Sequence, residues 1–322
     1  MFFIFDANAI FRKLDLTEGQ SMIKSIIIKS SYSKLQDGKL KSNFGDIIRS
    51  TVLLNCIKED FLWVTDARSV KLLRHFVSPE KIMLHGNSIS QNNLSPKLKI
   101  YNLDNYIADS SLINQLKGNW HGYIKNENEE LFAENKLIAS TEAYTKPLSK
   151  KSWQQALVEG MGFEWKEQDY ARTISRFENE SSIDIGLNWH VHPDWTSKQW
   201  PKEYWSELKN ILKKNHSVSW QKGLGNFDEY VKWLSSCKII VTCDTLGLHL
   251  ASALRKKVVA IVGPTENREF SYKRVVFVRP HSRKCMPCDS PKCKMKEKCL
   301  REIDAKKISE IIINIKGLRS GA

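Results

Sequence analysis

The chain has 322 residues, a formal net charge of +14 and 41% hydrophobic residues. This length suits two domains better than one, and no apolar run reaches the roughly 18 residues that a membrane-spanning helix needs. The first residues carry Asp6 early and lack a basic leader and a cleavage site, so we expect a cytoplasmic chain without a secretory signal. The positive charge favours anionic partners: nucleotides, phosphorylated glycans, a lipid surface or nucleic acid.

Hydrophobic periodicity in the N-terminal half predicts alternating strands and helices. Strands are predicted at residues 24–30, 61–66, 81–86 and 98–104, and helices at residues 46–57 and 67–76. Residues 105–170 look more helical, and the polar stretch at residues 172–182 is the best candidate for a linker.

The C-terminal half alternates more clearly. Strands are predicted at residues 184–190, 218–220, 238–244 and 257–263, and helices at residues 201–214, 227–237, 248–254 and 304–317. The last helix carries an isoleucine stripe that has to be buried: Ile308, Ile311, Ile312 and Ile315. Strands that alternate with helices predict parallel sheets covered on both faces. We therefore predict two α/β domains, residues 1–178 and 179–322.

Polar residues interrupt the otherwise apolar stretch VTCDTLGLHLASAL: Asp244, Thr245 and His249. Asp244 ends a predicted strand and precedes a helix, which is where open α/β sheets bind ligands and where a helix N-terminus suits phosphate. Gly247 would let the backbone approach a ligand closely, and the next strand ends in a Gly-Pro-Thr turn at Thr265. Each residue alone has a structural explanation, as a helix cap or a core histidine. Their clustering at one sheet edge favours a ligand site.

Four of the seven cysteines follow a C-x2-C-x4-C-x5-C spacing: Cys285, Cys288, Cys293 and Cys299. In a chain without an expected export signal, such clustering favours metal thiolates over disulfides. We predict a structural metal, zinc first and iron second. Free thiols or two disulfides are the alternatives.

Four segments together resemble glycosyltransferase family 9, the heptosyltransferase-like enzymes. VTCDTLGLHLASALRKKVVAIVGPT resembles the family signature, FGDIIRSTVLL its N-terminal Gly-Asp segment, KQWPKEYWSEL its Lys-x-Trp-Pro segment, and KCMPCDSPKCKMKEKCL its cysteine tail. The resemblance runs from about residue 44 to the end. It departs at Leu246, which separates Thr245 from Gly247 where the family has Asp-Thr-Gly, and in a longer basic loop before Gly45.

The resemblance implies the GT-B fold: two Rossmann-like domains with parallel sheets facing across a cleft. The N-terminal domain would bind the acceptor and the C-terminal domain the nucleotide sugar, with the final helix packing back across the domains. The implied reaction is an inverting transfer that needs no catalytic metal. ADP-heptose is the family's best-known donor, and the acceptor would be a glycan such as lipopolysaccharide.

The resemblance also implies roles for individual residues. Asp46 would be the general base that takes the proton of the acceptor hydroxyl; the structural alternative is a helix N-cap. Lys198 would meet the diphosphate and stabilise the charge that develops on it, with hydroxyl contacts from Thr196 and Ser197; the alternative is a surface lysine. The other implied donor-binding residues are Asp244, Thr245, Gly247, His249 and Thr265.

Two other functions compete with this interpretation. The charge and the lysines around the cysteines are compatible with a nucleic-acid-binding protein that has a zinc knuckle. That hypothesis leaves Asp46 and the polar residues after Asp244 unexplained, and an aromatic-basic RNA-binding signature is missing. A catalytically inactive relative that binds nucleotide sugar is the third hypothesis, and retention of Asp46 and Lys198 argues against it. The expected partners are thus a nucleotide-diphosphate sugar and an anionic glycan or glycolipid, with peripheral contact to a membrane surface, rather than nucleic acid.

Overall fold

The computed structural model describes residues 22–34, 40–107, 111–128, 130–141, 151–171, 182–223, 225–265, 273–281, 283–288, 290–295 and 298–315. The chain divides into two compact units, residues 1–174 and residues 175–322. The predicted linker lies outside the described residues, apart from its last position. Within the described segments, no helix is both long enough and apolar enough to cross a membrane.

The first unit contains a six-stranded sheet and a separate hairpin. Its strands are β1 (Ile23–Ile28), β2 (Tyr32–Lys34), β3 (Leu40–Ser42), β4 (Phe61–Thr65), β5 (Ile82–Leu84), β6 (Leu94–Asn102), β7 (Asn119–Lys125) and β8 (Leu131–Ala133). The sheet has the order β5–β4–β1–β6–β7–β8, and β2 pairs with β3. Neighbouring strands from β5 to β7 run parallel, whereas β8 runs antiparallel to β7.

Helices cover this first sheet. They are α1 (Phe44–Ser50), α2 (Ala67–Leu73), α3 (Ser111–Gln115), α4 (Lys136–Ala139) and α5 (Trp153–Gly160). In the central strand β1, Ile26, Ile27 and Ile28 are at most 1% exposed. Such a continuous apolar run is typical of a parallel strand that is buried on both faces.

Two predictions for the first unit need correction. The helix expected over residues 46–57 is α1 followed by a 3₁₀ turn at Thr51–Asn55. The region expected to be helical, residues 105–170, also contains β7 and β8. The β7 segment NWHGYIK contains the strand-favouring residue types Trp, Tyr and Ile, but Gly122 at a φ of +94° interrupts its pattern. Pairing with β6 completes the strand.

The second unit contains a five-stranded sheet in which all neighbouring strands are parallel. Its strands are β9 (Ile183–Asn188), β10 (Val218–Trp220), β11 (Cys237–Cys243), β12 (Lys257–Ile261) and β13 (Val275–Val278), in the order β10–β9–β11–β12–β13. Its helices are α6 (Lys202–Leu212), α7 (Phe227–Ser236), α8 (Leu246–Ala253) and α9 (Ala305–Asn314). Every element predicted for this half is present, with ends within three residues of the prediction. The short edge strand β13 was not predicted.

The core of the second unit buries the isoleucine stripe. Ile308 and Ile312 of α9 are fully buried beside Trp205, Leu208 and Ile261, as α9 packs against α6 and β12. The stripe is therefore covered by elements of its own unit. The chain is an α/β protein with two largely parallel sheets, as predicted.

Candidate functional site

The predicted ligand edge of the second sheet brings polar residues together as its strands end. Asn188 ends β9, Asp244 follows β11, Thr265 follows β12 and Arg279 follows β13. Because these strands are parallel, the four residues lie at the same edge, where α/β folds bind ligands.

Asp244 is the centre of this edge. The residue is 7% exposed, and its carboxylate forms an ion pair with Lys198. The hydroxyl of Thr265 donates to the same carboxylate oxygen at 2.6 Å. Lys198, 46 positions from Asp244 in sequence, and Thr265, 21 positions from it, thus both contact this buried carboxylate.

The electrostatic surroundings keep Asp244 ionised. Burial raises its pKa, but the charge of Lys198, the electrostatic interaction with His249 and the hydrogen bonds from Lys198 and Thr265 outweigh burial and lower the pKa to about 2. His249 lies on α8 and is 6% exposed. A carboxylate with several charge-assisted contacts is held in one orientation.

Thr245 caps the N-terminus of α8. Its hydroxyl accepts a hydrogen bond from the Gly247 amide at 3.2 Å and another from the Asn188 side-chain amide at 3.2 Å. Asn188 in turn donates to Thr242 at 2.8 Å and accepts from the Tyr230 hydroxyl at 2.7 Å. The structural alternative for Thr245 is therefore real, and the cap places the first turn of α8 beside Asp244.

Gly247 is needed for packing in this structure. A Cβ at this position would contact the side chain of Asn188 and lie 2.6 Å from the hydroxyl of Tyr230. The close approach expected at Gly247 is thus an approach of protein side chains. Its role toward a ligand stays a prediction.

Lys198 is held at the site from two sides. It ends a 3₁₀ helix at Pro193–Lys198, pairs with Asp244, and its ammonium lies 4.4 Å from the centre of the Trp195 ring. The lysine is 19% exposed, so it is not an ordinary surface lysine. Its terminal donors face the edge where the strands end.

The two hydroxyl residues before Lys198 differ. Thr196 is half-buried in the same 3₁₀ helix. Ser197 is 4% exposed, and its hydroxyl donates to the backbone carbonyl of Ser290 at 2.5 Å. Ser197 therefore holds a neighbouring segment of the protein in this structure.

Sequence reasoning missed Arg279. Its guanidinium donates to the backbone carbonyl of Thr265 at 2.8 Å. Burial lowers the pKa of Arg279, and the nearby charge of Asp244 opposes that shift, so the two groups are within electrostatic reach. Recognition of the VVFV strand before it would have placed this arginine at the ligand edge.

Asp46 occupies the third position of α1, and the N-cap is Asn43. The Asn43 amide nitrogen donates to the Asp46 carboxylate at 2.6 Å, and Arg49 lies 3.5 Å from its other oxygen. The alternative in which Asp46 itself caps the helix is thus wrong. The arrangement resembles a capping box, with a side-chain amide as the donor to the acidic group. The Asp46 side chain stays 18% exposed.

The segment after β1 is fixed by two further carboxylates that sequence reasoning missed. Lys29 pairs with Asp104 at 2.7 Å, and the amide of Ser30 donates to Asp104 at 2.6 Å. The amide of Ser31 donates to Asp66 at 2.6 Å. Burial lowers the pKa of Lys29, but the charges of Asp104, Asp46 and Asp66 outweigh it and raise the pKa. Hydrogen bonds to Asp104 and Asp66 thus hold Lys29, Ser30 and Ser31 in place after β1.

The four cysteines of the predicted metal site are free thiols. Burial raises the pKa of Cys299, and Cys293, Cys288 and Cys285 raise it further electrostatically, so the four lie near one another. Within the described residues, however, no three His, Cys, Asp or Glu side chains form a group that could hold a metal ion. The predicted metal site is therefore not assembled in this structure, and neither is a disulfide.

Residues 223–299 match the family model described as glycosyltransferase family 9 (heptosyltransferase). The matched segment covers 77 of the 322 residues and lies in the second unit. It contains α7, β11, α8 and β12 together with Asp244, Thr265 and the four cysteines. The predicted resemblance is confirmed, and it indicates a glycosyltransferase.

Solved structures share the fold over nearly the whole chain. The Escherichia coli heptosyltransferase WaaC with ADP-2-deoxy-2-fluoro heptose has a TM-score of 0.56 at 14% identity, over 89% of this chain and 98% of that one. A family 9 glycosyltransferase from Veillonella parvula has a TM-score of 0.60 at 12% identity, over 91% and 97%. The iron-containing dodecameric glycosyltransferase TibC from enterotoxigenic E. coli has a TM-score of 0.54 at 14% identity, over 92% and 76%. At these identities the likeness concerns the fold. No curated protein matches the sequence.

Proposed function

We propose that this glycosyltransferase transfers a sugar from a nucleoside diphosphate sugar to a glycan acceptor, with inversion at the anomeric carbon. The observation that carries the proposal is the edge of the second sheet. There, a buried carboxylate holds Lys198 in place beside the N-terminus of α8, inside the segment that matches the family.

The donor diphosphate fits this edge chemically. A phosphate group would meet the ammonium of Lys198, the first amides of α8 and, nearby, the guanidinium of Arg279. Negative charge grows on the departing nucleoside diphosphate as the glycosidic bond breaks. Cationic groups and helix amides that are already fixed stabilise that charge without reorganising. Asp244 keeps Lys198 in position and Thr265 keeps Asp244 in position.

Asp46 suits the role of general base. Its carboxylate is ionisable, partly exposed and oriented by Asn43 and Arg49. It would accept the proton of the acceptor hydroxyl while that oxygen attacks the anomeric carbon and the nucleoside diphosphate leaves from the opposite face. A single displacement of this kind inverts the configuration.

The related structures suggest which donor to test first. Two of them contain ADP or ADP-2-deoxy-2-fluoro heptose bound to WaaC. We therefore propose an ADP-linked heptose or a related sugar as donor. The net charge of +14 favours an anionic glycan or glycolipid as acceptor, such as lipopolysaccharide, reached by a cytoplasmic enzyme at a membrane surface.

Two substitutions separate chemistry from donor binding. Asp46→Asn keeps the size of the side chain and removes the base, so single-turnover transfer should slow by about 100-fold or more, while donor affinity stays unchanged. Lys198→Ala should weaken ADP binding and also slow transfer, because the leaving group loses its cation. Isothermal titration with ADP and single-turnover rates with ADP-heptose measure both effects.

Lys214→Ala is the matched control for Lys198→Ala, since Lys214 is exposed on the same unit beyond the end of α6. It should bind ADP like the wild type. Near wild-type transfer by Asp46→Asn would show that Asp46 serves only the helix terminus. Binding of random RNA with strong salt dependence, together with no response to any nucleoside diphosphate, would favour the nucleic-acid-binding alternative.

We also propose that the four cysteines hold a structural metal, with iron and zinc as the two candidates. Support comes from the proximity of four free thiols and from TibC, which is described as iron-containing. The thiolates would ligate the ion, and small movements of the loop would have to bring them together. The metal would stabilise the loop and take no part in the transfer.

Metal content can be measured directly. Elemental analysis of the purified protein should give about one zinc or iron per chain, and Cys285→Ser with Cys288→Ser should remove it. Cys56→Ser leaves the cluster intact and should retain the metal. A wild-type protein with four titratable thiols in the loop and no metal would contradict this proposal.

A further inference from the structure

The edge of the second sheet that carries Asp244 is called the donor edge below. The cysteine-rich loop, residues 283–299 without 289, 296 and 297, which lie outside the described part, contacts this edge. We propose that Ser197 is a positioning residue that clamps this loop to the donor site and thereby fixes Lys198. The proposal rests on the proposed function insofar as it concerns donor binding.

Ser197 makes both of its hydrogen-bond donations to the loop. Its amide donates to the carbonyl of Pro291 at 3.1 Å, and its hydroxyl donates to the carbonyl of Ser290 at 2.5 Å. The residue is 4% exposed, so water does not readily replace these bonds. The next residue in the chain is Lys198.

The loop contacts the other half of the donor edge as well. The amide of Cys288 donates to the carbonyl of Pro264 at 3.1 Å, directly before Thr265. Gly263 faces Cys299 so closely that a Cβ there would lie 2.9 Å from the Cys299 sulfur. The loop therefore touches both segments that bring partners to Asp244.

Through these contacts the loop holds the segments before Lys198 and Thr265 in position. Asp244 is held by Lys198 and Thr265, and each of those residues directly follows a residue that is bonded to the loop. Removal of the Ser197 hydroxyl would take the donor from the Ser290 carbonyl in a partly buried contact, which would weaken the attachment of the loop. Displacements of about 1 Å at a site that positions charged groups have large effects on binding and rate. Ser197 thus serves the donor indirectly, through the geometry of Lys198.

The first test needs no nucleotide. Thiols of the protein as purified are labelled with iodoacetamide, and the rate at each cysteine is followed by mass spectrometry. Ser197→Ala should speed labelling of Cys293 and Cys299 several-fold, because the loop opens more often. Ser290→Ala is the matched control: Ser290 contributes its backbone carbonyl to the clamp, and its own hydroxyl bonds within the loop to Lys292. The thiols of Ser290→Ala should be labelled at wild-type rates. Ser197→Thr keeps the hydroxyl, so its thiols should be labelled as slowly as those of the wild type.

The second test links the clamp to the donor. Ser197→Ala should bind ADP about fivefold more weakly, the scale of one net hydrogen bond, while Ser290→Ala binds as the wild type does. ADP should also slow iodoacetamide labelling of the wild-type loop, since coupling between two sites is reciprocal. That protection should be smaller in Ser197→Ala.

If Ser197→Ala is labelled at the same rates as the wild type and binds ADP with the same affinity, the proposed clamp is wrong. If ADP fails to bind even the wild type while Ser197→Ala still exposes the thiols, the clamp stands and the proposed donor is wrong. Should Ser197→Ala not fold, hydrogen exchange of the wild type decides: the amides of Ser197 and Cys288 should exchange through one common opening, and independent exchange would contradict the proposal.

Discussion

At the scale of single residues, the donor edge depends on one buried negative charge. The pKa of Asp244 is lowered to about 2 despite its burial, so the carboxylate is ionised at neutral pH and its ion pair with Lys198 is maintained. The folded-state pKa of Asp244 lies below the unfolded value of 3.8. Its ionised carboxylate therefore contributes its full stabilisation of the fold at pH values above 3.8. The contribution is lost as the pH falls through about 2. Asp244 therefore does not change its protonation state near neutral pH, and we expect its contacts with Lys198 and Thr265 to stay the same in that range.

Asn43 gives a residue-scale prediction in the first unit. Asn43→Ala removes the cap of α1 and the amide that donates to Asp46. The free energy of unfolding should fall by about 1 kcal/mol, the usual cost of a lost cap, and transfer should slow because Asp46 loses its orienting partner. Urea denaturation and single-turnover rates measure the two effects.

Asn43→Ser is the control for this variant. Serine caps helices well, so most of the lost stability should return, whereas the amide donor to Asp46 remains absent. Unchanged stability of Asn43→Ala would show that α1 does not need this cap.

At the scale of elements, α8 shows how packing and a cap together place a helix terminus. Thr245 binds the first turn, and Asn188, which ends β9, binds Thr245 and accepts from Tyr230 of α7. The strand β9 and the helices α7 and α8 are thus linked through Asn188, which donates to the cap residue of α8. Burial raises the pKa of Tyr230, which keeps its hydroxyl protonated and able to donate to Asn188.

Gly247→Ala tests this linkage. The added Cβ would lie 2.6 Å from the Tyr230 hydroxyl and would also meet Asn188. Overpacking of this kind costs about 1–3 kcal/mol, which exceeds the gain of about 1 kcal/mol that alanine brings to a helix. We expect a lower urea midpoint and weaker ADP binding.

Gly225→Ala is a matched control, since no heavy atom lies within 4 Å of a Cβ at that position. It should leave the urea midpoint and ADP affinity nearly unchanged. A Gly247→Ala protein more stable than the wild type would mean that Asn188 and Tyr230 move aside at little cost.

At the scale of the whole molecule, each unit has a hydrophobic core of its own. Buried residues around Ile26, Leu62 and Ile100 form the core of the first unit, and those around Trp200, Trp205 and Val241 form the core of the second. Separate cores allow the two units to open separately. The residues proposed to bind the donor belong to the second unit, and Asp46 belongs to the first.

Hydrogen exchange with and without ADP should reflect this division. ADP binds the folded state and stabilises the unit that contacts it, so exchange should slow at residues 193–198, at the start of α8 and in the cysteine-rich loop. The core strands β1 and β4 should exchange as before. Protection centred on the ends of β1 and β4, with none in the second unit, would place the nucleotide in the first unit instead.

Local patterns predicted much of this molecule. The apolar strands and amphipathic helices of the second half could be predicted, because the spacing of apolar residues in each segment indicates which of its faces is buried. The positions of Asp244 and Thr245 at a strand end followed from the same pattern, whereas Lys198 was assigned to the site through the family resemblance. Trp200 and Trp205 lie in the segment KQWPKEYWSEL, and both are buried.

Tertiary structure alone decided which groups meet. Ser197 bonds to a carbonyl 93 residues away, Lys29 pairs with Asp104 across 75 residues, and Arg279 reaches Thr265 from a strand that the pattern did not reveal. The strand β7 pairs with β6 in a region where the pattern indicated helices. Periodicity records which side of a segment is buried, but a hydrogen bond or ion pair depends on where two distant segments approach each other. That approach is determined by the packing of the whole unit, and a single sequence does not display it.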